Sequence, residues 1–153
     1  MNYAWLDYDP QTMDYIEGWL DEDAVKSTGL EDGFRDFYAY WAGEEGYVVD
    51  ENFWSKVVFE KDLPVAVNAF ALYEGKVTIM EILVAPEQRG QGRGAKLLKE
   101  LLEQEEILGF AIQKAETVIF PDNRASQRAF EKAGFYHHHT YEDGSAMLYA
   151  YEK

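Results

Sequence analysis

The chain has 153 residues, no cysteine and a formal net charge of −15, a length that suits one domain able to bury roughly 68–70% of its unfolded surface. Without cysteine there are no disulfides, thiolate nucleophiles or cysteine-held metals, which fits a cytoplasmic protein. The negative charge argues against nucleic acid or an anionic membrane as partner, and no apolar run is long enough to span a bilayer.

The N-terminal MNYAWLDYDPQ is acidic and lacks an apolar stretch, so no signal peptide is expected. Charge is unevenly spread. From Met1 to Asp62 four basic residues (Lys26, Arg35, Lys56, Lys61) face sixteen acids, a net of −12. Arg89, Arg93, Lys96, Lys99, Lys114, Arg124, Arg128 and Lys132 cluster between Pro86 and Lys132. A solvated acidic surface explains the first half. An anion-binding half beside a cation-attracting half explains both.

Asn2 to Asp7 reads as a short strand. Asp9-Pro10 opens a helix through about Glu22, with Met13, Ile16 and Leu20 at helical spacing. Gly29 to Ala42 repeats the pattern with Leu30, Phe34, Phe37, Tyr38 and Trp41 on one side, ended by Gly43 and Gly46. The aromatic stripe is core by spacing, although tyrosine and tryptophan also carry a polar handle suited to a substrate cleft. Phe53 to Glu60, Val65 to Tyr73 and Val77 to Val84 read as an antiparallel meander, with Glu74-Gly75 as its second turn.

Pro86 breaks the third strand into Arg89-Gly90-Gln91-Gly92-Arg93-Gly94, and a helix starts at about Ala95. Alternate glycines remove side chains where something must approach the backbone. The helix start behind them offers unpaired N–H groups and the positive end of the helix dipole, which is an anion site. That helix buries Leu97, Leu98, Leu101, Leu102 and Leu108, and Gly109 stops it. Ala115 to Phe120 is a strand, and Arg124 to Ala133 a short helix burying Ala125, Ala129 and Phe130. Phe135 to Tyr141 and Ser145 to Tyr151 form a closing hairpin around Glu142-Asp143-Gly144. The order predicts an α/β class: a mixed, largely antiparallel sheet with helices on both faces.

Three anion ligands compete for the glycine turn. A nucleoside-triphosphate loop needs Lys-Ser or Lys-Thr after the glycines, and Gly94-Ala95-Lys96-Leu97 lacks the hydroxyl. A dinucleotide fingerprint is met by Gly90-x-Gly92-x-x-Ala95, but it follows an antiparallel meander and too little chain remains for a doubly wound sheet. The third reading rests on two stretches. Val84-x-Pro86-x-x-Arg89-Gly90-x-Gly92-x-Gly94 resembles the pyrophosphate loop of the Gcn5-related N-acetyltransferase (GNAT) family. Downstream, the segment from Asn123 to Phe135, NRASQRAFEKAGF, resembles that family's asparagine before a short helix ending in Glu-Lys-x-Gly-Phe.

The resemblance implies one N-acetyltransferase domain over 1–153. Residues 1–75 are mainly its acceptor side, 76–135 its acetyl-CoA-binding core and 136–153 a C-terminal hairpin. It implies acetyl-CoA as co-substrate, with Arg89, Gly90, Gln91, Gly92, Arg93, Gly94 and Ala95 around the pyrophosphate. Main-chain groups of Ile82, Leu83 and Val84 would meet the pantetheine arm, one N–H polarising the thioester carbonyl. Asn123 would contact the same arm or cap the helix after it. Arg89, Arg93 or the Arg124, Arg128 and Lys132 group would meet the adenosine phosphate.

Acetyl transfer needs a neutral amine, so a base must remove its proton. Glu81, on the strand leading to the loop, is the candidate base or else a residue on a solvated strand face; Glu116 on the next strand is second. Many family members carry a tyrosine as general acid where this chain has Phe130, so that role is not transferred. Tyr136, Tyr141, Tyr149 or water remain for it. His137-His138-His139 suggests a metal, but strand neighbours point to opposite faces, so only His137 and His139 would share one, without a carboxylate partner. No metal is expected.

Family motifs say little of the acceptor, but the net −12 points to a cationic small-molecule or peptide amine. The closing Asp143-Gly144-x-Ala146-Met147-Leu148-Tyr149 and the Asn123 segment are similar to the aminoglycoside 6′-N-acetyltransferase branch, and to polyamine and ribosomal-protein relatives. A binding module for acyl-CoA without turnover is the alternative that Phe130 raises, and a dinucleotide-binding domain is the third. The oligomeric state, a homodimer included, is left open.

Overall fold

A computed structural model describes residues 3–42 and 52–153. Seven strands run β1 (Tyr3–Asp7), β2 (Phe53–Glu60), β3 (Leu63–Tyr73), β4 (Lys76–Val84), β5 (Lys114–Ile119), β6 (Tyr136–Thr140) and β7 (Met147–Glu152). Among the described residues four α-helices accompany them: α1 (Glu22–Thr28), α2 (Phe34–Ala42), α3 (Arg93–Glu103) and α4 (Arg124–Lys132). The strands form one sheet in the order β1-β2-β3-β4-β5-β7-β6. Its pairings at β1/β2, β5/β7 and β6/β7 are antiparallel, and β4/β5 is parallel. This is the mixed, largely antiparallel sheet the sequence predicts. It is not a doubly wound sheet, so the dinucleotide-binding reading falls.

The chain divides into two compact units, residues 1–70 with 81–88 and residues 71–80 with 89–153. The first has a core of Tyr8, Ile16, Trp19, Leu30, Phe34, Val57, Val67 and Leu83. Here the helices differ from expectation. The segment expected to be helical from Asp9 to Glu22 forms only a 3-10 turn at Asp14–Trp19. Asp21 then starts a separate helix, its carboxylate accepting from Ala24 N at 2.9 Å, the usual N-cap arrangement. Gly29 ends that helix with φ +76°, a left-handed conformation that suits glycine. Gly29 is thus the end of α1 and not the start of α2, which begins five residues later. The expected stops at Gly43 and Gly46 lie outside the described residues.

The start of α2 is set from a distance. The Glu17 carboxylate accepts from Phe34 N at 3.0 Å and Arg35 N at 3.1 Å, satisfying N–H groups that have no partner within the helix. The negative charge also complements the helix dipole.

In the second unit α3 buries Ala95, Leu97, Leu98, Leu101 and Leu102. It ends at Glu103, so Leu108 is buried by the following turn, and Gly109 at φ +89° closes that turn rather than the helix. Helix α4 packs against α3. It buries Phe130 and half-buries Ala129, whereas Ala125 is exposed, against expectation. Phe130 stands edge-on to Phe135, ring centroids 4.9 Å apart.

Candidate active site

Strand β4 carries the candidate base. Val77, Ile79 and Leu83 alternate as buried positions along it, and period two puts Glu81 in the same series. Glu81 is half-buried, and desolvation pushes its carboxyl up to about 8. A carboxyl kept from water resists ionisation, and a pKa near working pH is what a proton acceptor requires. Ile82 and Val84 are half-buried and Leu83 is buried. Beyond them Ala85 N donates to Val65 O at 2.9 Å, and a 3-10 turn at Pro86–Gln88 ends the segment.

The loop lies in the second unit. Gly90 and Gly92 adopt φ of +75° and +73°, and a Cβ placed on either would meet no protein atom within 4 Å. Space is therefore not what excludes a side chain there; the left-handed backbone is. Gly92 is the N-cap of α3 and supplies no side-chain cap, so the first N–H groups of the helix face the loop without one. A Cβ at Gly94 would stand 3.5 Å from the Ala129 Cβ of α4, an ordinary contact, so packing does not demand a glycine there. Gln91 is exposed, Arg89 and Arg93 are half-buried, and Ala95 is buried at the first turn.

The other assigned loop residue begins the neighbouring helix. Asn123 caps α4, its Oδ1 accepting from Ser126 N at 3.2 Å, which realises the capping half of its expected role. Its amide nitrogen has no partner among the described residues. Arg124, Arg128 and Lys132 are exposed at four-residue spacing along α4, one face of the helix. Glu116, the second candidate base, is 3.5 Å from Lys76 Nζ, an ion pair that competes with any proton-accepting role.

The tyrosines separate clearly. Tyr136 and Tyr141 are exposed, while Tyr149 is only 3% exposed and donates its hydroxyl to Glu131 Oε2 at 3.3 Å. Burial and the Glu131 charge both raise the Tyr149 pKa, so this phenol holds its proton. Phe130 is a core residue at 5% exposure, and its lack of a hydroxyl fits its dry surroundings.

The histidines overturn the alternation argument. A bulge shifts the β6/β7 register between His137 and His139, so strict alternation fails there. His138 and His139 converge, their Nδ1 atoms 2.7 Å apart, while His137 Nε2 is 3.0 Å from Thr140 Oγ1. Among the described residues no group of three His, Cys, Asp or Glu side chains is placed to hold a metal ion.

In the first unit a recess of about 420 Å3 is lined by Glu31, Asp32, Asp36, Phe37 and Tyr40, among others. Phe37 comes from the stripe read as core in the sequence, so part of that stripe lines a recess; Tyr40 lies outside it. Among the described residues no helix is long and apolar enough to cross a membrane.

The Acetyltransferase (GNAT) family profile matches residues 11–135. The chain belongs to that family. It is therefore an acetyltransferase by descent, as the paired loop and Asn123 motifs implied. No curated protein sequence matches it. Among solved structures, the aminoglycoside acetyltransferase AAC(6')-Ib in complex with coenzyme A and kanamycin shares the fold at TM-score 0.76 and 20% identity, covering 99% of this chain and 95% of that one. A spermidine N-acetyltransferase chimera from Vibrio cholerae and hSSAT gives 0.74 and 15%, covering 99% and 96%. The Escherichia coli ribosomal-protein-S18-alanine N-acetyltransferase gives 0.65 and 17%, covering 99% and 94%.

Proposed function

We propose that this chain transfers an acetyl group from acetyl-CoA to an amine of a cationic acceptor by direct attack, the whole of 1–153 serving as one N-acetyltransferase domain in the cytoplasm. The observation that carries the reading is the uncapped start of α3 behind two left-handed glycines, a cradle suited to a pyrophosphate. Acetyl-CoA supplies an activated thioester. Arg89 to Ala95 would hold its pyrophosphate through backbone N–H groups, and Ile82, Leu83 and Val84 would offer main-chain partners to the pantetheine arm. The free amide nitrogen of Asn123 is available to the same arm. Arg124, Arg128 and Lys132 form the most continuous cationic face for the adenosine phosphate.

Glu81 acts as the base. An ammonium has no lone pair, so the acceptor must lose a proton before it attacks, and the raised pKa of Glu81 matches that task. The acid recess beside α2 and the −12 of residues 1–62 support a cationic acceptor. Aminoglycosides, polyamines and a protein N-terminus or lysine all meet that description.

The test is thiol release from acetyl-CoA against a panel of those amines. Release with at least one is expected; none with any, despite acetyl-CoA binding, overturns the reading. Glu81→Gln should lower kcat/KM by roughly 10²–10⁴-fold and flatten a profile that rises through about pH 8 in the native protein. The same group has a stability signature. Its folded pKa is raised from the ordinary 4.5, so its contribution is fully present below about 4.5 and lost as pH rises through about 8. Each unit of displacement corresponds to about 1.4 kcal/mol. Glu81→Gln should therefore gain in Tm relative to the native chain between pH 5 and 9, and a constant difference would sink the assignment.

A further inference from the structure

In the second unit β5, β7 and β6 present two unlike faces. Residues directly opposite across a strand pair share a face. The register pairs Val118 with Leu148, Glu116 with Ala150 and Lys114 with Glu152, then Ala150 with Tyr136 and Leu148 with His139. The other series, Ala115, Thr117 and Ile119 with Tyr149, is buried. Helix α4 lies on that side: Tyr149 donates to Glu131, and a Cβ on Gly134, just past α4, would stand 3.6 Å from Tyr151. On the first face Val118 is 48% exposed and Tyr136 49%, and Phe120, just past the end of β5, is 39% exposed. A contiguous apolar patch left to water marks an interaction surface.

Charge decides what docks there. Residues 71–80 and 89–153 carry ten basic and eleven acidic residues, a net of −1, whereas 1–70 and 81–88 carry four and eighteen, a net of −14. Two copies of a chain at −15 repel, so they meet with least repulsion through a surface that is itself neutral. This face is of that kind. Lys114 and Glu152 are 3.9 Å apart and Lys76 and Glu116 3.5 Å apart, two pairs of opposite sign beside Val118, Leu148 and Ala150. An apolar centre with a polar rim is the anatomy of a protein–protein interface. A two-fold axis makes one patch its own partner, and here it can set a lysine of each copy against a glutamate of the other.

Sheets also join edge to edge, and β6 is an edge strand. The bulge between His137 and His139 breaks its register, which blunts an edge against strand addition. The face is therefore the better contact.

We propose that this chain forms a two-fold homodimer through the open face of β5, β7 and β6, with Val118, Leu148 and Tyr136 in the contact and the Lys114–Glu152 and Lys76–Glu116 pairs at its rim. Dimer formation does not depend on acetyl transfer.

The experiment is sedimentation equilibrium of the full chain across the micromolar range. A mass twice the 17.7 kDa of one chain is expected at the upper end. Val118→Glu and Tyr136→Glu each bring like charges together across the axis, and each should raise the dimer Kd by about tenfold or more. Both side chains are half exposed in the single chain, so the native circular dichroism should be kept. Where Val118→Glu loses it, Tyr136→Glu carries the test. Added salt screens the repulsion between the acidic units, so the dimer should tighten as ionic strength rises. Association that weakens with salt overturns the proposal in favour of acid-on-base contact, the first unit of one copy against Arg124, Arg128 and Lys132 of another. A single 17.7 kDa species at every concentration also overturns it and leaves the face to a different partner. So does a dimer that both glutamate variants leave intact.

Discussion

Helices α2 and α3 begin in opposite ways: a distant side chain caps one start, and the other has no side-chain cap. At α2 the Glu17 carboxylate, seventeen positions before Phe34, accepts from two backbone N–H groups. At α3 the cap is Gly92 in a left-handed conformation, with no side chain to accept anything. Both ends carry the same orphan donors and the same positive dipole end. In the first case the protein answers them. In the second Gly92 supplies no side-chain cap, and a Cβ at Gly90 or Gly92 would meet no protein atom within 4 Å. Helix α4 is intermediate: Asn123 Oδ1 answers one N–H, and its amide nitrogen remains available.

The sharpest way to break this contrast is Gly92→Val. A branched side chain in the left-handed region is strained by about 1–2 kcal/mol and fills the approach to the backbone. We expect acetyl-CoA affinity to fall by at least tenfold in calorimetry. Gly92→Asn separates the two effects, because asparagine tolerates that backbone; it should keep the melting temperature closer to native while still weakening the cofactor. Undiminished affinity in Gly92→Val would show that the loop does not face the pyrophosphate.

Next in size is Glu17→Ala, which should cost about 1–2 kcal/mol in urea unfolding through loss of the remote cap. Glu17→Gln should recover part of that, because one amide oxygen still accepts. Acetyl-CoA affinity should be unchanged in both, since the α2 start answers to the protein alone. The smallest effect expected is Asn123→Ala, about 1 kcal/mol of stability from its cap. An accompanying loss of acetyl-CoA affinity would show that its amide nitrogen is used; stability loss alone would reduce Asn123 to a cap.

Legibility in the sequence followed how local the cause was. Strand β2 was read at its full extent, Phe53–Glu60, because its pattern and bounding turns are contiguous. The glycine loop and the Asn123 segment were legible for the same reason: each compresses a backbone requirement into a few adjacent residues. The Asp9–Glu22 helix failed because Asp21 caps its own helix from within the apparent continuation. The assumed start at Gly29 failed because the true start of α2 depends on Glu17. Strand alternation misplaced His138 because a bulge is decided by the pairing of β6 with β7. Alternation along β4 already puts the candidate base in the buried series, but how far desolvation raises its carboxyl is set by the packing around it.

By itself, then, the sequence determined the meander, the loop with its helix, the capping asparagine and the family they imply, all properties of neighbouring residues. Tertiary structure alone decided that Glu17 begins α2, that Glu81 holds a proton to about pH 8, and that Tyr149 is buried against Glu131. Those features depend on solvent exclusion and on contacts between residues far apart in the chain, and such contacts exist only once the chain has folded.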